Sequence, residues 1–454
     1  MVTTECSEKR YEFERGDGAR TVVAEFNGGT ISSDAGMVLL GETDAKMKVI
    51  GRLSECFHDG RNPAMTKHGL QQMLAQRIFG LALGYEDLND HDRLRHDPLL
   101  AAMTGKQELD QPLAGKSTLN RLELSSGMID RYHKIRYWRD SVDDLLVTLF
   151  LEAHPTPPEQ IVLDIDTTDL PLHGKQEGRF FHGYYGHYCY LPLFIFCGDH
   201  VLCSRLRPSS VGPAVGSKRE IERVVKAIRQ RWPQVRITLR GDSGFCVDEL
   251  MSWCEDNRVD FVFGMARNVK LVGLVADALT QAQQEFEKTG QPARVFVEFE
   301  HETVSGSWSR KRRVVAKAEH IDGKSNPRFV VTSLSKDEIE AKSLYEDTYC
   351  ARGDMENRIK EQFVLFADRV SASTMRANQL RLYLSVMGYT LMNGFRRLAL
   401  KATALASAQV GTIRLKLFKI GALIQVTVRK VWVRMASSFP NQELFSQALQ
   451  QLRQ

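Results

Sequence analysis

Apolar positions recur every three to four residues through much of residues 20–155, which predicts a mainly helical N-terminal region. A short strand over 21–26 and the turn Asn27-Gly28-Gly29 come first. Ser33-Asp34 is placed to cap a helix running through Met37 and Leu40 toward Met47, because a short oxygen-bearing side chain satisfies first-turn N–H groups. A second helix is expected over 68–83, with Leu70, Met73, Leu74, Ile78 and Leu81 at helical spacing. The segment Lys116-Ser117-Thr118-Leu119-Asn120-Arg121-Leu122 is polar on one side. It reads either as a recognition helix, whose Ser, Thr, Asn and Arg reach phosphates and base edges, or as one more helix of a bundle. His154-Pro155-Thr156-Pro157-Pro158 then stops helix formation and marks a boundary.

Beyond the prolines the period shortens to two. Strands are predicted over 161–166, 188–197 and 200–206, the last two joined by the turn Gly198-Asp199. Ser217 and Glu220 have capping-box spacing and open a helix that ends near Trp232-Pro233. A strand over 235–239 runs into Gly241-Asp242-Ser243-Gly244, and a helix over 247–256 leads to a fifth strand over 259–263. Three strands in hairpin order, then helix, strand, helix, strand, imply a mixed α/β sheet with helices on its faces. From 266 to 335 a helix near 270–284 gives way to strand-like segments at 294–300, 313–318 and 328–334, a β-rich insertion. Helical spacing resumes with Tyr349, Arg352, Glu356 and Lys360, which share one face.

With 454 residues, 43% hydrophobic and 26% charged, the chain suffices for two or three packed domains. Its eight cysteines form no C-x-x-C pair, which argues against a zinc site or disulfide framework and for a reducing compartment. The first residues lack a basic-then-apolar leader pattern, and no uncharged apolar run is long enough to span a bilayer, so neither secretion nor membrane insertion is expected. Charge placement says more than the net +5. From Arg369 to Gln442 there is no Asp or Glu but there are twelve Lys or Arg, a composition suited to a polyanionic partner.

Three stretches carry candidate chemistry. On a strand, Asp164 and Asp166 point the same way, and buried carboxylates need a cation or protons between them. Mg²⁺ is the usual remedy; the alternative is an edge strand with a solvated face. Glu356, with Arg352 and Lys360 one turn away on either side, suits a metal ligand whose neighbours touch phosphates, or else a surface salt-bridge ladder. In Ser307-Trp308-Ser309-Arg310-Lys311-Arg312-Arg313, Trp308 either stacks on a displaced base or covers a small β core.

Asp166-Thr167-Thr168 after an apolar strand, Gly241-Asp242-Ser243-Gly244-Phe245, and Tyr349-x-x-Arg352-x-x-x-Glu356 after a β-strand insertion stand in this order along the chain. Together they resemble the DDE transposases of bacterial insertion sequences. Residues 28–36, 172–178 and 377–382 resemble the thirteen-eighty group in particular, so the likeness extends across nearly the whole chain. The resemblance implies an RNase H-like core in two parts, 156–265 and 336–370, separated by the insertion at 266–335. It also implies a DNA-binding helical region at 1–155 and a basic helical region at 371–454.

By the same resemblance Asp166, Asp242 and Glu356 are the catalytic acids and hold two Mg²⁺ ions, with Mn²⁺ able to substitute and Asp164 a further candidate. Expected DNA contacts are Tyr349, Arg352, Lys360, Trp308, Arg310, Lys311, Arg312 and Arg313. The lysine that the wider superfamily often carries seven residues beyond the glutamate is here Phe363, which leaves Lys360 to take its role. Expected partners are double-stranded DNA, both the terminal inverted repeats and target, and a second copy of the chain in a cytoplasmic, nucleoid-associated complex. A catalytically inactive DNA-binding relative and a structure-selective nuclease on the same fold are the alternatives.

Overall fold

Alternating burial builds the central sheet. In the computed structural model, which describes residues 10–14, 20–125, 130–303, 306–321 and 323–454, helix α1 (Arg139–Glu152) precedes strand β1 (Gln160–Thr167). Strand β1 buries Leu163 and Ile165 completely and places Asp164 and Asp166 on the opposite face, as a period of two requires. Strand β2 (Leu193–Cys197) pairs antiparallel with β1, and β3 (His200–Arg205) returns from β2 as a hairpin. Helix α2 (Ser217–Arg231) leads to β4 (Arg236–Gly241), which lies parallel to β1 on its other side. Helix α3 (Asp248–Asp256) then leads to β5 (Asp260–Met265), parallel to β4. The order β3-β2-β1-β4-β5 makes a mixed α/β sheet, as expected.

The β-rich insertion does not form a sheet of its own. After helix α4 (Ala276–Thr289), strands β6 (Ala293–His301), β7 (Arg312–Ile321) and β8 (Arg328–Thr332) continue the same sheet in the order β5-β8-β7-β6. A free strand edge leaves backbone groups unpaired; β8 satisfies those of β5 by antiparallel pairing. Val314, Val315, Ala316, Val330 and Val331 are fully buried as a result.

Local chemistry departs from the predicted pattern at three points. Pro192 has no N–H to give a ladder, and the single strand expected over 188–197 divides into His187–Tyr190, in a small three-stranded sheet, and β2. The capping box at Ser217 is not made: the Ser217 hydroxyl donates to the Ala214 carbonyl, and Glu220 accepts from Arg205 at 2.7 Å and Arg223 at 3.2 Å. Asp34 does not cap Met37–Met47; it is buried and accepts from Tyr85 Oη and Lys419 Nζ, each at 2.6 Å.

The chain divides into two compact units. Residues 55–60 and 121–393 make one, containing the whole sheet just described. Here helix α5 (Gly353–Val364) follows the insertion, and α6 (Met375–Ala399) begins. Asp143 of α1, with no exposed surface, accepts from Arg205 Nη2 and from Tyr383 Oη, each at 2.6 Å. That buried network ties α1, β3 and α6 together. The other unit comprises residues 1–54, 61–120 and 394–454. In it Leu70–Leu83 is buried over most of its length, and Ile31–Ser32 pairs with Ala422–Val426, itself paired with Val431–Met435. The C-terminal region expected to be helical thus includes two strands. Lys116–Glu123 is a helix whose Leu119 and Leu122 are fully buried while Ser117 and Arg121 remain exposed. Among the described residues Cys189, Cys197, Cys203, Cys246, Cys254 and Cys350 are free thiols. Among the described residues no helix is long and apolar enough to cross a membrane.

Candidate active site

Ile165 of β1 and Gly241 of β4 are the last register partners of these parallel strands, so the residues after them stand at the same end of the sheet. Asp166 and Asp242 are therefore carried out side by side. Asp166 is buried; its Oδ1 accepts the Thr167 N–H at 2.8 Å and its Oδ2 accepts Arg352 Nη1 at 2.9 Å. Asp242 Oδ1 accepts the Gly244 N–H at 2.9 Å, closing the turn Ser243–Phe245. Glu356, one helical turn beyond Arg352, accepts Arg352 Nη2 at 3.2 Å. A single guanidinium thereby joins the first and third carboxylates.

Electrostatics agrees with that geometry. Burial pushes the Asp166 carboxyl up to about 6; Arg352 opposes the shift, while the charges of Asp242 and then Glu356 add to it. Asp242 and Glu356 therefore lie close enough to act on Asp166. The Tyr349 phenol is also raised by burial, Arg352 opposing. Tyr349 ends a π-helical stretch, Leu344–Tyr349, which a short tight turn, Cys350–Arg352, links to α5. Such irregular helical turns recur at functional sites.

Asp164 sits apart from this group despite sharing its face. Arg240 Nε reaches its Oδ1 at 2.5 Å and Nη2 its Oδ2 at 2.8 Å, both side chains being buried. Arg240 Nη1 also donates to the Thr348 carbonyl. Both Asp164 oxygens are engaged by Arg240, a buried pairing that sets it apart from the carboxylates bridged by Arg352. Arg240 belongs to no motif in the sequence; its only signal is its place two residues before Asp242.

The basic hairpin differs most from expectation. Trp308 is 9% exposed and packs in the core, edge-on to His301 with ring centroids 5.6 Å apart. It covers the core and presents no face for a base. Arg312 is buried between Asp248 and Glu255, at 2.7 Å from each. Arg313 meets Glu298 at 2.6 Å and the carbonyls of Leu334, Ser335 and Ile339. Arg310 pairs with Glu255 at 3.3 Å, and exposed Lys311 has Glu302 at 3.9 Å. Asp248 and Glu255 lie more than fifty residues before the hairpin, beyond the reach of a local reading of the run of cations. Lys360 is exposed one turn past Glu356.

Among the described residues no three His, Cys, Asp or Glu groups converge as a ready-made metal site. The donor set at Asp166, Asp242 and Glu356 is nevertheless all oxygen, the chemistry hard divalent cations prefer. Arg352 holds part of that negative charge instead.

The chain is thus a mixed α/β protein that carries Asp166 and Asp242 at one end of two adjacent parallel strands and Glu356 on a later helix. The model of the family described as transposase DDE domain, group 1, matches residues 14–454, and the chain belongs to that family. Among solved structures, the piggyBac transposase synaptic complex with hairpin DNA is similar at 11% identity and a TM-score of 0.43, over 85% of this chain and 80% of that one. A search of curated proteins gave no match.

Proposed function

We propose that the chain binds the terminal inverted repeats of an insertion sequence, cleaves the ends and joins their 3′-hydroxyls to target DNA. The observation that carries this reading is that Asp166 and Asp242 follow the last register pair of β1 and β4 at the same end of the sheet, with Glu356 joined to Asp166 through Arg352. Asp166, Asp242 and Glu356 would hold Mg²⁺, or Mn²⁺ in its place, and a pair of such ions supplies activation of the attacking oxygen and charge stabilisation at the leaving one. The carboxylates need carry no proton. Arg352 and Lys360 orient the scissile strand through its phosphates, and Tyr349 packs or bonds against its backbone. Water and the freed 3′-hydroxyl serve in turn as nucleophile, because each event is a displacement at phosphorus. Joining two ends calls for two copies of the chain on DNA.

The test is cleavage of a labelled duplex taken from the DNA flanking the coding sequence, with Mg²⁺ and with EDTA. Native chain should nick only with the metal. Asp166→Asn, Asp242→Asn and Glu356→Gln should bind the duplex and leave it intact. Binding without cutting by the native chain, or cutting by Asp242→Asn, would remove the metal-site assignment; loss of strand joining alone would leave a nuclease.

A further inference from the structure

A pocket of about 320 Å³ opens beside Asp242, bounded by residues 264–267 at the end of β5, residues 326–329 entering β8, and the rings of Tyr345 and Tyr349. Its size falls at the lower end of ordinary ligand sites. Gly264 lets Tyr349 into the wall: a Cβ there would stand 2.4 Å from Tyr349 Oη and 3.1 Å from the Ser243 nitrogen. Two other groups in the wall are already occupied. Asn326 Nδ2 donates to Glu319 at 3.1 Å, and the Tyr345 ring is covered by Lys317 Nζ at 5.3 Å from its centroid.

The charged donors of the wall are Arg267 and Arg328. Both are exposed, and among the described residues neither has an ion pair or side-chain hydrogen bond. That contrasts with Arg310, Arg312 and Arg313, each held by acids. Two free guanidiniums against the single carboxylate of Asp242 leave the pocket with a positive balance. A guanidinium offers parallel N–H groups that match phosphate oxygens.

We infer that this pocket holds a DNA backbone phosphate flanking the scissile one, with Arg267 and Arg328 as its donors. The inference rests on the proposed DNA cleavage and deepens it, since Asp242 lines the same pocket. Contacts to a flanking phosphate fix the register of the strand without reading its sequence. They position the scissile bond against the acids.

Arg267→Ala, Arg328→Ala and the double variant would be compared with the native full-length chain on the labelled end duplex, by anisotropy over a salt series and by thermal unfolding. Each phosphate contact contributes about 0.9 to the slope of log binding constant against log salt. The double variant should show a shallower slope by roughly that amount and weaker binding, with an unchanged melting temperature. Replacing the flanking phosphodiester by a neutral methylphosphonate should weaken the native chain similarly and weaken the double variant no further. A double variant with native affinity, slope and cleavage would overturn the pocket assignment while leaving the transposase reading intact. Native chain that binds but never cuts would overturn that reading, and the salt slopes would still judge the pocket.

Discussion

Asp164 and Asp166 differ by two positions and by everything around them. From the chain alone they are equivalent acids on one strand face. Register separates them: Arg240 stands opposite Asp164 on β4, whereas Asp166 lies beyond the residues β4 pairs and meets Arg352. Removing one partner of a buried pair strands the other charge, which costs about 3–5 kcal/mol. Arg240→Ala should therefore lower the urea midpoint sharply; a midpoint within experimental error of native would sink the structural role. His91 gives a second residue-scale prediction. It has no exposed surface, and its Nδ1 lies 3.2 Å from Gln76 Nε2. Burial, with help from the Arg77 charge, pushes its pKa down to about 3 from 6.5. As pH falls below 6.5 the unfolded chain takes a proton that the folded chain refuses, so stability drops by about 1.4 kcal/mol per unit until about pH 3. Unfolding free energy measured from pH 7 to pH 4.5 should fall less steeply in His91→Gln than in the native chain; parallel lines would refute it.

Segments that look self-contained in sequence are shaped by what they touch. The Trp308 hairpin is the clearest case, because Asp248 and Glu255 on α3 take up Arg312 and leave the tryptophan to the core. Residues 28–36 are another. Gly36 has an ordinary helical φ of −66°, yet a Cβ on it would stand 1.8 Å from the Leu417 carbonyl oxygen. Space, and not backbone freedom, demands glycine there. Gly36→Ala should destabilise by about 1–3 kcal/mol or more, since backbone cannot yield as a flexible side chain does. Gly69→Ala, where nothing lies within 4 Å, should change little by comparison. Equal denaturation midpoints for the two variants would show that the close approach at Gly36 relaxes freely.

For the whole molecule, the two ends of the chain belong to one unit. Arg414 Nε donates to the Ala82 carbonyl at 2.8 Å, Lys419 pairs with Asp34, and Ala422 pairs with Ser32. A chain ending at residue 393 should lose amide protection in Leu70–Leu83 while retaining it in Gln160–Thr167, as hydrogen exchange would report. Undiminished protection in Leu70–Leu83 would mean that the C-terminal segment is dispensable for that unit. Several cations of the acid-free stretch serve internal contacts; Arg381 meets Glu123 at 2.9 Å. Lys401, Lys416, Arg429, Lys430 and Arg434 remain exposed.

Local pattern by itself determined the helices, most strands and the order of the three acids, because side-chain periodicity and turn chemistry act over a few residues. Tertiary structure alone decided which acid Arg240 would take, that the insertion would extend the main sheet, and that the hairpin cations would be neutralised. It also left Arg267 and Arg328 free beside Asp242. The physical reason is common to all of these. Pairing partners lie tens to hundreds of residues away, and the charge a residue presents to a ligand is what remains after its neighbours in space have been satisfied.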